Sequence, residues 1–196
     1  MFDQIRAITG RLAAMALFMS VFLAIYGVSL RAQGTVELNR AIALHDAARD
    51  GDENAGARAI EQLSEMARKH PRNAVVLAYL GSAYAIAARD AWNPFQKTAN
   101  VNRGLRNLDA AVEMAPENFV VRLIRANVQM KLPSMFARGD DAVRDMIALD
   151  VIFRRNPNAK RARAMIAIYE KLIALAPNQG DWSAGLALAR QRAAGR

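Results

Sequence analysis

The chain has 196 residues, of which 53% are hydrophobic and 23% are charged. This composition excludes a purely disordered chain, since disorder requires few apolar residues. The presence of only one long apolar run excludes a polytopic membrane protein. The absence of cysteine excludes disulfides, thiolate metal sites and cysteine catalysis. The 27 Lys and Arg against 18 Asp and Glu give a formal net charge of +9, which favours acidic partners.

A charge-free run of 19 residues, Leu12–Leu30, follows a basic N-terminal flank at residues 1–11. As a helix this run extends over about 28 Å, which is close to the hydrocarbon thickness of a bilayer. It therefore predicts a transmembrane helix, whose larger membrane-spanning side chains are Leu12, Leu17, Phe18, Phe22, Leu23, Tyr26 and Leu30.

The alternative for this segment is a signal peptide that is cleaved after about residue 32. The run is long for a signal peptide and no clean small-x-small cleavage site follows it, so an uncleaved anchor is favoured. A short basic N-terminus normally stays in the cytoplasm, which predicts that residues 35–196 lie outside it. In a bacterium with two membranes, that compartment is the periplasm.

The rest of the chain is predicted to be a linker at residues 31–39 and an all-helical domain at residues 40–196. Apolar residues recur at spacings of three and four, and no alternating strand pattern appears. Proline followed by asparagine marks most of the breaks, because proline stops a helix and asparagine caps the next one. The predicted helices are at about 36–50, 54–69, 73–89, 98–115, 118–131, 138–155, 159–175 and 180–193.

Four segments end alike, with an apolar helix, a proline and then an asparagine: MARKHPRN, VEMAPENF, FRRNPNAK and IALAPNQG. This recurrence resembles the tetratricopeptide repeat, a 34-residue helix–turn–helix unit. The best-matching unit begins at Ala74, and its matching positions are Leu77, Leu80, Gly81, Tyr84, Ala111 and Pro116. The small Gly81 is expected to allow close approach of the two helices.

The spacing of these prolines departs from the family pattern. Pro71 to Pro116 is 45 residues, Pro116 to Pro157 is 41 and Pro157 to Pro177 is 20. These distances predict insertions at about 89–97 and 132–138 and a partial last unit, or about three and a half hairpins in all. The resemblance implies a helical-repeat solenoid that binds other proteins or peptides, with no catalytic role and no cofactor.

Motifs for catalysis are missing: there is no phosphate-binding loop, zinc-protease motif or nucleophile elbow. Structural roles are expected for His45 and His70, the only two histidines. No cluster offers enough ligands for a metal site. Asp140, Asp141, Asp145 and Asp150 are interpreted as acids near a helix start on a solvated face.

Two inserted segments carry large apolar residues, Trp92 and Phe95 in the first and Met135 and Phe136 in the second. These residues are predicted either to fill gaps between hairpins or to contact a partner; for Trp92 and Phe95, insertion at the membrane interface is a further alternative. In the register of the repeat, the first helices are expected to expose Ser82, Ile86, Leu123 and Asn127 on the concave face.

A dense basic patch surrounds Pro157 and consists of Arg154, Arg155, Lys160, Arg161 and Arg163. It is interpreted as a solvated helix face or as a contact for anionic lipid or an acidic protein. Nucleic acid is disfavoured, because the patch lacks interleaved aromatic residues that stack on bases.

Together these features predict a membrane-anchored interaction module, an accessory, scaffolding or assembly subunit of a membrane protein complex. The alternative is an exported soluble repeat domain that binds a peptide or small ligand after signal cleavage.

Overall fold

The computed structural model describes residues 34–195. The chain divides into two compact units, with the boundary between residues 43 and 44. Residues 34–43, the described part of the first unit, are helical, including residues 34–39 of the expected linker. The predicted transmembrane segment at 12–30 lies outside the described residues. No helix within residues 34–195 is long and apolar enough to span a bilayer.

The second unit contains helices throughout its described residues. It begins with helical residues 44–49 (α1) and continues with α2 (Glu53–Lys69), α3 (Ala74–Asp90), α4 (Pro94–Met114), α5 (Phe119–Gln129), α6 (Gly139–Arg155), α7 (Ala159–Leu175) and α8 (Trp182–Ala193). A short 3₁₀ turn, Ser134–Phe136, stands between α5 and α6. The predicted all-helical architecture is confirmed.

Side-chain caps begin most of these helices, as the proline–asparagine pattern predicts. Asn73 accepts hydrogen bonds from the backbone amides of Val75 and Val76, and Asn118 accepts them from Val120 and Val121. These caps satisfy amide donors that a helix start leaves unpaired. These asparagines mark the breaks before α3 and α5, whereas α6 begins at Gly139 without a side-chain cap.

Consecutive helices pack in pairs, α3 with α4, α5 with α6, and α7 with α8. Neighbouring pairs are joined by contacts of α3 with α5 and of α6 with α7. The hairpin repeat predicted from the sequence is thus confirmed. The last unit, however, is a full hairpin, because α8 completes it and buries Trp182 beside α7.

Gly81 lies at the crossing of α3 and α4, as predicted. A Cβ atom at this position would lie 2.7 Å from the carbonyl oxygen of Gly104 and 2.7 Å from Cγ of Leu108. Two glycines therefore face each other where the helices cross, and the backbones approach to a distance that no other residue permits.

The first predicted insertion is not a loop. α4 begins at Pro94, with Asn93 as its N-cap, so only residues 91–93 separate it from α3. Proline is favoured at the first helical position because its missing amide would have no partner there. The extra residues lengthen α4 to 21 residues instead of forming an excursion.

Candidate functional site

A groove of about 1520 Å³ lies in the second unit. Its lining comes from α1, α3, α5 and the start of α7, together with the first turns of α4 and the connection between α5 and α6. The first helix of each hairpin therefore faces the groove, as expected for stacked hairpins with a concave surface.

The floor of the groove is one side of α5. Its lining residues repeat at helical spacing and are Val120, Leu123, Ile124, Asn127 and Val128. α5 is buried along both flanks, with Phe119 and Ala126 in one core cluster and Val121 in another. Leu123, Ile124 and Val128 are half-buried against these clusters, whereas Val120 and Asn127 are exposed in the groove.

Sequence reasoning placed Leu123 and Asn127 on the concave face but missed Val120, Ile124 and Val128. A signal for them was present. Apolar residues at 120, 123, 124 and 128 form an i, i+3, i+4, i+8 stripe besides the one needed for the core.

Ser82 and Ile86 line the groove, yet both are buried, so the expected exposure of these two residues is wrong. Ser82 is buried because its hydroxyl forms a hydrogen bond with His45 Nε2 at 2.9 Å, inside the protein. Ile86 is covered by Ala48 and Ala55.

His45 is buried at the α1 end of the groove. Its ring meets the Tyr79 ring edge-on at 5.2 Å between centroids, and its Nδ1 lies 3.1 Å from Asp46 Oδ1. Burial lowers the pKa of His45 below 6.5, against the opposite effect of Asp46. The structural role expected for this histidine fits these contacts.

Trp92 and Phe95 do not fill a gap between hairpins. They are 88% and 87% exposed, and Met135 is 81% exposed. Phe136 behaves differently, because it packs against Ala88, Val101 and Leu105. Of the two interpretations, gap filling applies to Phe136, whereas contact with a partner stays a prediction for the other three.

The basic patch around Pro157 is split between two surfaces. Arg154 is bound by Asp150 at 2.6 Å, and Arg155 by Glu117 at 3.0 Å. Lys160 and Arg161 instead line the groove, where the Arg161 guanidinium lies 5.4 Å from the centroid of the Phe119 ring. Arg163 is exposed outside the groove lining.

Two of the four aspartates were misassigned. Asp145 is fully buried and bridges Arg122 and Arg125, each at 2.6 Å. Asp150 is also buried and accepts a hydrogen bond from the Tyr169 hydroxyl at 2.5 Å. Both acids lie in the packed face of α6, so only Asp140 and Asp141 are acids of the helix start.

The Asp150 contact belongs to the core of the last two hairpins. Burial, and then the bond to Asp150, raise the pKa of Tyr169, whose ring packs closely against Gly185 of α8. Within the described residues, no group of three or more His, Asp or Glu is placed to hold a metal ion.

Comparison with protein-family models and with curated proteins gives no match to this chain. Comparison with solved structures finds a thermophilic tetratricopeptide-repeat protein of Thermus thermophilus. The match covers 77% of this chain and 81% of that protein, with 20% sequence identity and a TM-score of 0.45. So distant a likeness supports no functional inference, and the hairpin architecture rests on the helix pairs themselves.

Proposed function

We propose that this chain is a non-catalytic protein–protein interaction module and that the concave groove is its binding surface. The observation that carries the proposal is the apolar stripe of α5 on the groove floor, which is half-buried along its length and exposed at Val120. A contiguous apolar surface rimmed by polar residues is typical of protein interaction sites. The groove is larger than the roughly 300–1000 Å³ of most small-molecule sites, so a segment of a protein fits it better.

A matched pair of substitutions tests this proposal. Val120 is 39% exposed in the groove, and Val151 of α6 is 45% exposed outside it. We expect Val120→Arg to abolish recovery of the partner in a mild-detergent pull-down of the tagged full chain, and Val151→Arg to leave it intact. Loss with both variants, or with neither, would contradict the assignment of the groove.

The finer proposal is that residues 12–30 anchor this module in a membrane, with the repeat domain on the periplasmic side. It would then act as an accessory, scaffolding or assembly subunit of a membrane protein complex. The support is the charge-free run of 19 residues behind a basic flank.

Two measurements on the full chain distinguish this anchor from the alternative, an exported soluble domain. An anchored protein has its full intact mass and stays in the membrane fraction after alkaline extraction. A secreted domain lacks the first 32 residues or so and is recovered in the soluble fraction. A protease that is added outside the inner membrane degrades the repeat domain only if it faces the periplasm.

A further inference from the structure

Some of the cations that line the groove have carboxylate partners and others do not. Six cations line it, and two of them have carboxylate partners: Arg49 with Asp46 and Asp50, and Arg89 with Asp90. The other four have no carboxylate within 4.0 Å among the described residues, and they are Lys97, Lys131, Lys160 and Arg161.

The acids of the groove cannot neutralise these four cations. Among the described acids, Asp46 and Glu117 are the two that line it. Asp46 contacts His45 and Arg49, whereas Glu117 is bound by Arg155. The groove therefore presents a surplus of positive charge that an anionic partner would neutralise.

These cations lie at the two ends of α5. Arg161 stacks over Phe119, the first residue of the helix, and Lys160 is its neighbour. Lys131 follows the other end of α5, and Lys97 lies one turn before Val101, which packs beside Leu132 and Phe136. From Phe119 to Gln129 the helix rises by about 15 Å, and Lys131 lies two residues beyond its end.

Between the two cation pairs the floor is aliphatic, with Val120, Leu123, Ile124 and Val128 in line. This floor suits the apolar face of a peptide, which an amphipathic helix presents at i, i+3 and i+4 spacing.

The lining also contains three aromatic residues, but each contacts the protein itself: Tyr79 meets the His45 ring, Phe119 is covered by Arg161 and Phe136 packs against a core cluster. The described residues of the groove therefore lack the exposed aromatic platform on which the bases of a single-stranded nucleic acid stack.

We propose that the groove binds a peptide segment with an apolar middle and acidic side chains at both ends. One acidic end faces Lys160 and Arg161, and the other faces Lys97 and Lys131, beyond the opposite end of the roughly 15 Å helix. This inference rests on the proposed function of the groove and specifies the chemistry of its partner. The two pairs act as independent contacts because α5 separates them.

The test is a fluorescence anisotropy titration of the full chain in detergent with labelled helical peptides of about 14 residues, long enough to span α5. One peptide has a Leu/Ile/Ala middle and Glu residues at both ends. The comparison peptides carry Lys at both ends, Glu at one end only, or the same residues in scrambled order. A single-stranded oligonucleotide is added as a competitor to test for nucleic-acid binding.

The protein variants reverse each cation pair separately, as Lys160→Glu with Arg161→Glu and as Lys97→Glu with Lys131→Glu. The control is Arg58→Glu with Arg106→Glu, an equal change of charge at exposed positions outside the groove lining. Circular dichroism verifies that each variant is folded.

We expect the peptide with two acidic ends to bind most tightly, and each groove reversal to weaken it by about tenfold or more. The control reversal leaves its affinity within about twofold, because both positions are exposed outside the groove lining and salt screens their charges. A peptide with one acidic end should respond to one of the two reversals and not to the other.

Several results would overturn the inference. They are binding of none of the peptides, equal binding of the Lys-ended or scrambled peptide, equal weakening by the control reversal, or competition by the oligonucleotide at equal affinity. If charge is irrelevant while Val120→Arg still abolishes partner recovery, the groove remains the interaction site and only the partner chemistry is wrong. If Val120→Arg has no effect, the proposed function fails as well.

Discussion

The two sides of α5 differ in how their charges are satisfied. On one side, Arg122 and Arg125 point at the buried carboxylate of Asp145, and Arg125 also meets Asp109 at 3.1 Å. On the opposite side, which 3.6 residues per turn place about 180° away, the groove is apolar and has, at its ends, cations without carboxylate partners among the described residues. The arginines of α5 therefore hold hairpins together on one side, whereas the groove cations on the other side come from neighbouring segments.

This contrast separates charges that serve stability from charges that serve binding. Asp145 belongs to α6, Asp109 to α4 and the two arginines to α5, so the network joins three helices. Arg138 extends it, with Nη2 at 3.2 Å from Asp109 Oδ2. Substitutions on this side are expected to change stability, and substitutions on the groove side to change affinity.

The largest effect is expected for Asp145→Ala. It leaves the largely buried Arg122 without a carboxylate and Arg125 with Asp109 alone, which costs about 3–5 kcal/mol of unfolding free energy. Urea unfolding followed by circular dichroism measures this loss. Asp140→Asn is the control, because Asp140 is exposed in the first turn of the same helix and should cost less than about 1 kcal/mol. Equal costs for the two variants would refute the role of the network.

The crossing of α3 and α4 gives the next largest effect. Gly81→Ala places a methyl group 2.7 Å from a backbone carbonyl oxygen, and overpacking of this kind costs about 1–3 kcal/mol. Gly56→Ala in α2 is the matched control, since its Cβ would have only Ala48 nearby, at 3.7 Å. That variant should gain up to about 1 kcal/mol from helix propensity. A stabilising Gly81→Ala would contradict the close crossing.

His45 gives a smaller effect that depends on pH. Because its pKa is lowered in the folded state, the unfolded chain takes up the proton first as the pH falls. The contribution of His45 to the unfolding free energy is therefore fully present above pH 6.5 and is lost as the pH falls below this value. The difference in unfolding free energy between the wild type and His45→Gln should shrink from pH 7.5 to pH 5. A difference that grows as the pH falls would contradict the lowered pKa.

The smallest effect on stability is expected at the exposed aromatic residues. Trp92→Ala and Phe95→Ala should leave the unfolding free energy within about 0.5 kcal/mol, because both side chains are almost fully exposed. If they contact a partner, the same variants reduce its recovery in the pull-down. Thermal unfolding measures the change in unfolding free energy. A marked loss of stability would favour the gap-filling interpretation again.

Most of the fold could be predicted because the sequence encodes it locally. Proline stops, asparagine caps and helical spacing indicate the hairpins, and Gly81 marks a close crossing. The start of α4 was predicted at about residue 98 because residues 89–97 were interpreted as an insertion, whereas Asn93 makes Pro94 a favourable first residue. The completeness of the last hairpin was missed because proline spacing was used in place of helix count.

The site was less predictable because it depends on which long-range neighbours a residue meets. Asp145 and Asp140 look alike in sequence, and only the position of α5 shows that one is buried between arginines and the other exposed. Lys160 and Arg154 belong to one basic run in the sequence. Lys160 lies in α7 and lines the groove, whereas Arg154 lies in α6 and binds Asp150. Burial of Ser82 likewise required His45, which lies 37 residues earlier.

The most direct test of the central claim is site-specific photo-crosslinking in cells that express the full chain. A photoreactive residue replaces Asn127 on the groove floor or, as the control, Asn102 on the exposed surface of α4. We predict a crosslink from position 127, and none from 102, to a partner segment with an apolar middle and acidic ends. Crosslinks from position 102 alone would contradict the claim that the concave groove is the binding surface.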